Sequence, residues 1–324
     1  MKYSTADAKQ WVKKAFRGHT AILCTPMLEN GEIDYPGLRS NTEAVLDLPG
    51  VNGIYLNSIY QEFWTMTEAE RKGVAEAVCE TVNGRVPVIV GCNCTSAREA
   101  VNYIQHAEAI GADMAMVWPP YYGIRTEDGV HAFYEYIAER VNLAMGIYST
   151  TLHELGHHVT PEAVARLAEI DNICAVKEVS LSLSGYSRMM EVAGDLLTIS
   201  SPFEEYHLYG MVAFPDRVPN FLFGSSRPLY MQSKERPYCA DFWAAAERGD
   251  LDAARMALKP ILEMSNLLHN KYLAKGAHNI ALTKAITALL GMAAGPVRPP
   301  MSDAPQDQIE DARQILVDFG IIAQ

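Results

Sequence analysis

The sequence has no GxGxxG turn, no P-loop, no run of like charges and no low-complexity tract. No apolar stretch reaches the roughly 18–20 residues of a membrane span. Without the glycine-rich turns, dinucleotide and P-loop nucleotide binding drop out as first readings. Without a span, and with no apolar signal core in Met1–Asp7, the expectation is a soluble, cytoplasmic protein with no membrane partner. Positive charge is in short supply: 27 Lys and Arg stand against 39 Asp and Glu, a net charge of −12. Such a chain is repelled by a phosphate backbone, so nucleic acid is not an expected partner. Cysteine is scarce too, with six in 324 residues. Cys24, Cys79, Cys92, Cys94, Cys174 and Cys239 read as buried reduced thiols. Cys92-Asn93-Cys94 has one intervening residue, not the two or more of a zinc ribbon, so no metal role is assigned to it.

What is present is a large apolar fraction, 49% against 20% charged, which suits a sizeable core and rules out disorder as the main state. Apolar, β-branched runs alternate with helical periodicity. The runs are His19–Thr25, Gly53–Asn57, Pro87–Cys92, Met114–Trp118, Met145–Tyr148, Ile173–Lys177, Leu197–Ser200 and Asn220–Gly224. Thr67–Glu70 and Ser96–Glu99 fit the capping box, and Thr160-Pro161 places a cap before proline at the first helical position. Eight β-then-α units predict a (β/α)8 TIM barrel in the α/β class. A doubly wound sheet would have fewer strands and a glycine-rich first turn. After the eighth run the pattern is helical: Ala240–Arg248, Leu251–Tyr272, Asn279–Leu290 and Gln306–Phe319. The domain expectation is therefore a barrel over 1–230 and a C-terminal helical region over 231–324.

In a barrel, the C-terminal ends of the strands line the active site. Lys177 closes the apolar run Ile173–Lys177. Lysine is almost never placed there unless paired or used. Burial would lower its pKa and free the amine as a nucleophile toward carbonyl carbon. The plainer alternative is a lysine that reaches solvent or pairs with Glu178. Tyr148 closes the preceding run, where its phenol would lie beside Lys177 as a proton shuttle, or simply pack.

Trp118-Pro119-Pro120-Tyr121-Tyr122, Ile147-Tyr148, Val176-Lys177-Glu178 and Gly295-Pro296-Val297-Arg298-Pro299-Pro300 come in the order and spacing of one family. The chain resembles the dihydrodipicolinate synthase / N-acetylneuraminate lyase family of class I aldolases from about residue 17 to about residue 320. The resemblance implies that Lys177 forms a Schiff base with a 2-oxo acid, that Tyr148 transfers protons, and that Tyr122 reaches a neighbouring subunit's site in a homodimer or homotetramer. It calls for no cofactor. The substrates it implies are a small 2-oxo acid and an aldehyde. One segment departs from the pattern. Where the family has Gly-Thr-Thr-Gly-Glu to hold the carboxylate of pyruvate, this chain reads Ser58-Ile59-Tyr60-Gln61-Glu62. The two threonines are Ile59 and Tyr60, which breaks the hydroxyl relay from Tyr148 unless Ser58 replaces it. The arginine that binds the second carboxylate in dihydrodipicolinate synthase falls on His153. Lysine biosynthesis is therefore not expected. The aromatics Tyr60, Phe63, Trp64, Trp118, Tyr121 and Tyr122 suit an aromatic or apolar substrate part, as in the hydratase-aldolase branch, or form a subunit interface. Ser58, Ile59, Tyr60, Glu62, Trp118, His153, Gly224 and Ser225 are the expected substrate contacts. Dehydration of a 2-keto-3-deoxy acid is the alternative reaction from the same imine.

A competing motif is His153-Glu154-Leu155-Gly156-His157, a literal HExxH. On a long helix it would bind zinc, with the glutamate as base. Ser149-Thr150-Thr151 before it and Thr160-Pro161 after it leave too little room for that helix, and the third histidine of the extended motif would fall on Ala163. Substrate-contacting histidines on a loop are the preferred reading over a zinc peptidase. A barrel that lost its chemistry is a third reading, opposed by the presence of Lys177 and Tyr148.

Overall fold

The computed structural model describes residues 2–123, 125–151, 158–273 and 280–324. Its strands are β1 (Gly18–Ile22), β2 (Val51–Leu56), β3 (Val88–Gly91), β4 (Met114–Val117), β5 (Ala144–Thr150), β6 (Ile173–Val179), β7 (Thr198–Ser200) and β8 (Phe221–Ser225). They form one sheet in the order β7-β6-β5-β4-β3-β2-β1-β8, the arrangement of a (β/α)8 barrel, and further helices follow β8. Each expected apolar run overlaps one strand, with ends that differ by up to three residues. At the C-terminal ends, β5 continues through Ser149 and Thr150, and β6 through Glu178 and Val179. Thr150 Oγ1 donates to the Val179 carbonyl at 3.2 Å, so polar residues carry the pairing past Tyr148 and Lys177.

The chain divides into two compact units. The first comprises Met1–Arg17 and Pro87–Phe223. Its strands are completely buried, as expected for a parallel sheet covered by helices. Gly146 in β5 leaves room for Met116 and Phe223; a Cβ there would lie 3.1 Å from Met116 Cε. Thr160 caps the helix Pro161–Leu167 by accepting from Ala163 N, as the sequence predicts. The box expected at Ser96–Glu99 is not made: the Ser96 side chain makes no cap bond, and the nearby Cys94 Sγ donates to the Ser96 carbonyl at 3.2 Å.

The second unit comprises Gly18–Val86 and Gly224–Gln324. Thr67 and Glu70 complete the capping box of the helix Glu68–Val82. The run read as one helix from Leu251 to Tyr272 is the helix Leu251–Ser265, a π turn Asn266–Asn270 and a last short turn Lys271–Leu273. All six cysteines are free thiols, five of them buried. No helix among the described residues is long and apolar enough to cross a membrane.

Candidate active site

Adjacent parallel strands bring the two expected reactive side chains together. β5 and β6 pair with Tyr148 opposite Lys177. Lys177 is 5% exposed, and its Nζ lies 5.1 Å from the centroid of the Tyr148 ring. Burial pulls the ammonium down from 10.5 to about 7, because a low dielectric disfavours the charged form. A large share of the amine is then free at neutral pH, the form that attacks a carbonyl.

The pairing of Lys177 with Glu178 that the sequence left open meets the geometry of a strand. Successive side chains point to opposite faces. Glu178 is buried, and its Oε1 accepts from Ser180 N at 3.1 Å. Burial raises its carboxyl to about 7, while hydrogen bonds from Ser180 and Ser149 offset part of the rise.

Trp118 follows β4 and covers Tyr148 with ring centroids 4.6 Å apart and planes tilted by 33°. Its backbone N donates to Asn93 Oδ1 at 3.2 Å, which fixes the turn that carries the indole. Tyr121 meets Trp118 edge-on, at 6.4 Å and 80°. Tyr121 also lines a cavity of about 730 Å³, together with Arg125, Thr150, Thr151 and His158 among others; Lys177, Tyr148 and Trp118 are not part of its lining. Tyr122 is 84% exposed. His153 and the whole HExxH motif lie outside the described residues.

In the second unit, Ile59–Gln61 form a single 3-10 turn, and Glu62 follows at φ +58°. Ser58 is buried, and its hydroxyl has no hydrogen-bond partner among the described residues. Gln61 is buried too. Its Oε1 accepts from Asn57 N, while Nε2 has no partner among the described residues. Ile59 and Tyr60 are half-buried. Gly224, at φ +57°, donates its N–H to Thr20 Oγ1 at 2.6 Å, and Ser225 Oγ accepts from Arg227 N at 3.2 Å.

Glu62 behaves differently from the expectation of a substrate contact. Lys284 Nζ donates to its Oε1 at 2.8 Å and Arg298 N to its Oε2 at 3.0 Å, with both ion-pair partners buried. Both carboxylate oxygens are thus occupied in holding the segment. Lys284 was missed in the sequence, although it is the one charge in the apolar helix Ile280–Leu289. Arg298, seen there only as part of a tail motif, also binds Glu70 through two nitrogens at 2.6 and 3.0 Å.

Comparison with known proteins gives a consistent answer. A model described as the dihydrodipicolinate synthetase family matches residues 15–218. A 4-hydroxy-tetrahydrodipicolinate synthase of Methanopyrus kandleri is 30% identical over 310 residues, 95% of this chain and 97% of that one. A relative of the same name from Methanothrix thermoacetophila is 30% identical over 304 residues, covering 91% and 95% of the two chains. The crystal structure of a dihydrodipicolinate synthase is 27% identical with a TM-score of 0.79, covering 95% of this chain and 100% of that one. These names do not fit the expectation that lysine biosynthesis is excluded.

Proposed function

The chain belongs to the dihydrodipicolinate synthetase family, aldolase-type lyases, and we propose that Lys177 is its imine-forming nucleophile toward a 2-oxo acid. The observation that carries this reading is the buried Lys177 amine, its pKa lowered to about 7, facing Tyr148. Lys177 Nζ adds to the C2 carbonyl, water leaves, and the protonated imine accepts the electron pair of the breaking C3–C4 bond. In an arylidene-pyruvate water first adds at C4 across the conjugated C3=C4 bond of the imine, and the C4 hydroxyl so formed gives up its proton as the aldehyde departs. The enamine takes a proton at C3, and hydrolysis returns pyruvate and the free lysine. Tyr148 is assigned these proton transfers, with Trp118 holding its ring. Tyr122, exposed in the single chain, is read as entering the site of a second copy.

The carboxylate contact expected of the Ser58–Glu62 segment is carried by that segment's own donors: Ser58 Oγ and Gln61 Nε2 are buried without an acceptor among the described residues, and buried donors are rarely left unpaired. For the remainder of the substrate, Tyr121, which lines the cavity of about 730 Å³ and meets Trp118 edge-on, supports an aromatic or apolar part. A second reading, condensation of pyruvate with aspartate semialdehyde, is favoured by the names of the relatives. The test is a panel of arylidene-pyruvates, sugar-derived 2-oxo acids, and pyruvate with aspartate semialdehyde, compared by kcat/KM. The first reading expects the arylidene-pyruvates to lead by tenfold or more, about 1.4 kcal/mol. A lead for pyruvate with aspartate semialdehyde overturns the aromatic assignment and supports the second reading.

A further inference from the structure

The alternation that turns Lys177 to one face of β6 turns Glu178 to the other. In the pairing of β5 with β6, Ser149 stands opposite Glu178 as Tyr148 stands opposite Lys177. A polar pair therefore sits directly behind the reactive pair, and all four residues belong to the first unit. Ser149 and Glu178 are both completely buried. The Ser149 hydroxyl is hydrogen-bonded with the Glu178 carboxyl, and its Oγ accepts from Val159 N at 3.2 Å. Glu178 Oε1 accepts from Ser180 N at 3.1 Å. Ser180 Oγ in turn donates at 3.3 Å to the carbonyl of Ser182, which caps the helix Leu183–Ala193. The carboxyl thus ties the end of β5 to the turn that leaves β6. Its other oxygen, Oε2, has no partner among the described residues. The groups that face it from the covering helices are two phenols, Tyr186 of Leu183–Ala193 and Tyr206 of Glu204–Ala213. No cation among the described residues offsets its burial. A buried carboxylate needs donors on both oxygens or a countercharge, and here only one oxygen has donors. The surroundings suit the neutral acid.

We propose that Glu178, in its un-ionised form, is the positioning residue of the Lys177–Tyr148 pair: with Ser149 and Ser180 it clasps the ends of β5 and β6 from behind and keeps the amine and the phenol in register. The proposal rests on the imine reading above. Glu178 touches neither substrate nor imine and acts through the two strands. An un-ionised carboxyl donates one hydrogen bond while accepting others, so it can hold β5 and the turn after β6 at once. Loss of its proton leaves a bare charge on an oxygen that has no donor, and the strand ends must loosen to let one in. Geometry and titration then converge. Burial raises the Glu178 carboxyl to about 7, so the clasp opens over the same range in which the Lys177 amine, drawn down to about 7, becomes free. As pH rises, the reaction gains from the amine losing its proton and declines as the carboxyl loses its own. The result is a narrow bell centred near 7.

Deuterium exchange into the methyl group of saturating pyruvate, followed from pH 6 to pH 9, tests the clasp, and borohydride trapping of pyruvate on Lys177 reads imine formation separately. The wild-type protein should show both limbs of the bell. Glu178→Gln keeps an acceptor for Ser180 N and a donor in place of the acid proton but cannot ionise. Its falling limb should vanish while the rising limb stays. Two pH units above its midpoint a carboxyl is only about 1% un-ionised, so at pH 9 the variant should exchange at least about tenfold faster than wild type, with rates at pH 6 within about twofold. Ser149→Ala removes a hydrogen bond that favours the charged carboxylate, so its falling limb should move to higher pH. A merely structural role would move neither limb. A falling limb that persists in Glu178→Gln, or exchange slowed at every pH in that variant with trapping intact, overturns the clasp and leaves the imine reading standing. If Glu178→Gln does not fold, Ser149→Ala decides: a raised limb supports the clasp and an unshifted limb overturns it. Failure of the wild-type protein to trap pyruvate on Lys177 overturns the imine reading itself, and the clasp with it.

Discussion

Two adjacent residues of β6 bear ionisable groups that burial moves toward neutrality from opposite sides. Lys177 falls to about 7 and Glu178 rises to about 7. The linkage signs are opposite. The lysine binds fewer protons folded than unfolded between about 7 and 10.5, so its cost is complete below about 7 and is relieved as pH rises to 10.5. Lys177→Met should therefore raise the melting temperature at pH 7 while abolishing turnover, by about 2–4 °C for each kcal/mol recovered. A lower melting temperature would show that the amine is well solvated. For Glu178, the raised carboxyl favours folding below about 4.5, a contribution lost as pH rises through about 7. Glu178→Gln should remove the part of the stability loss seen between pH 5 and 8; urea titrations at those two pH values check it, and an unchanged difference contradicts it. Tyr148→Phe should reduce kcat by about 10²–10⁴-fold with imine trapping still detectable. Wild-type turnover in that variant would reduce the phenol to packing against Trp118.

At the scale of elements, the Ser58–Glu62 turn is held by a buried ion pair whose other half is far away in sequence. Removing one partner of such a pair costs about 3–5 kcal/mol, because the other charge stays buried alone. Lys284→Met should lower stability by that amount in chemical denaturation, and adding Glu62→Gln should recover most of it. If the double variant is no better than the single, Lys284 contributes through its stem and not its charge. Arg298 makes a second tie from the tail to the capping box. Its two hydrogen bonds hold the Glu70 carboxyl at about 2, so this contribution is present above about 4.5 and is lost as pH falls toward 2. These ties were only half legible in the sequence. Lys284 alone among Ile280–Leu289 was a visible signal, but nothing in the spacing pairs it with Glu62. Nor does spacing show Gln61 turning its amide back onto Asn57 N, or a π turn interrupting Leu251–Tyr272. The strands were legible because buried parallel strands read as unbroken β-branched runs. Their ends were not, since Ser149, Thr150 and Glu178 continue β5 and β6 with polar side chains: Ser149 Oγ accepts from Val159 N, Thr150 Oγ1 donates to the Val179 carbonyl and Glu178 Oε1 accepts from Ser180 N.

For the molecule as a whole, the fold and family follow from eight strand–helix units in sequence and from relatives that span nearly the whole chain. Function then turns on which lysine the fold activates. Lys177 and Lys284 are both buried, but they differ in surroundings: burial lowers the ammonium of Lys177, whereas Lys284 Nζ forms an ion pair with Glu62 at 2.8 Å. The most direct measurement is borohydride reduction of the intact protein with pyruvate, followed by peptide mapping. The account predicts one modified peptide, Lys177 carrying the mass of pyruvate less one oxygen, and no modification in Lys177→Ala. Modification of Lys284 or another lysine, or full activity in Lys177→Ala, would contradict it.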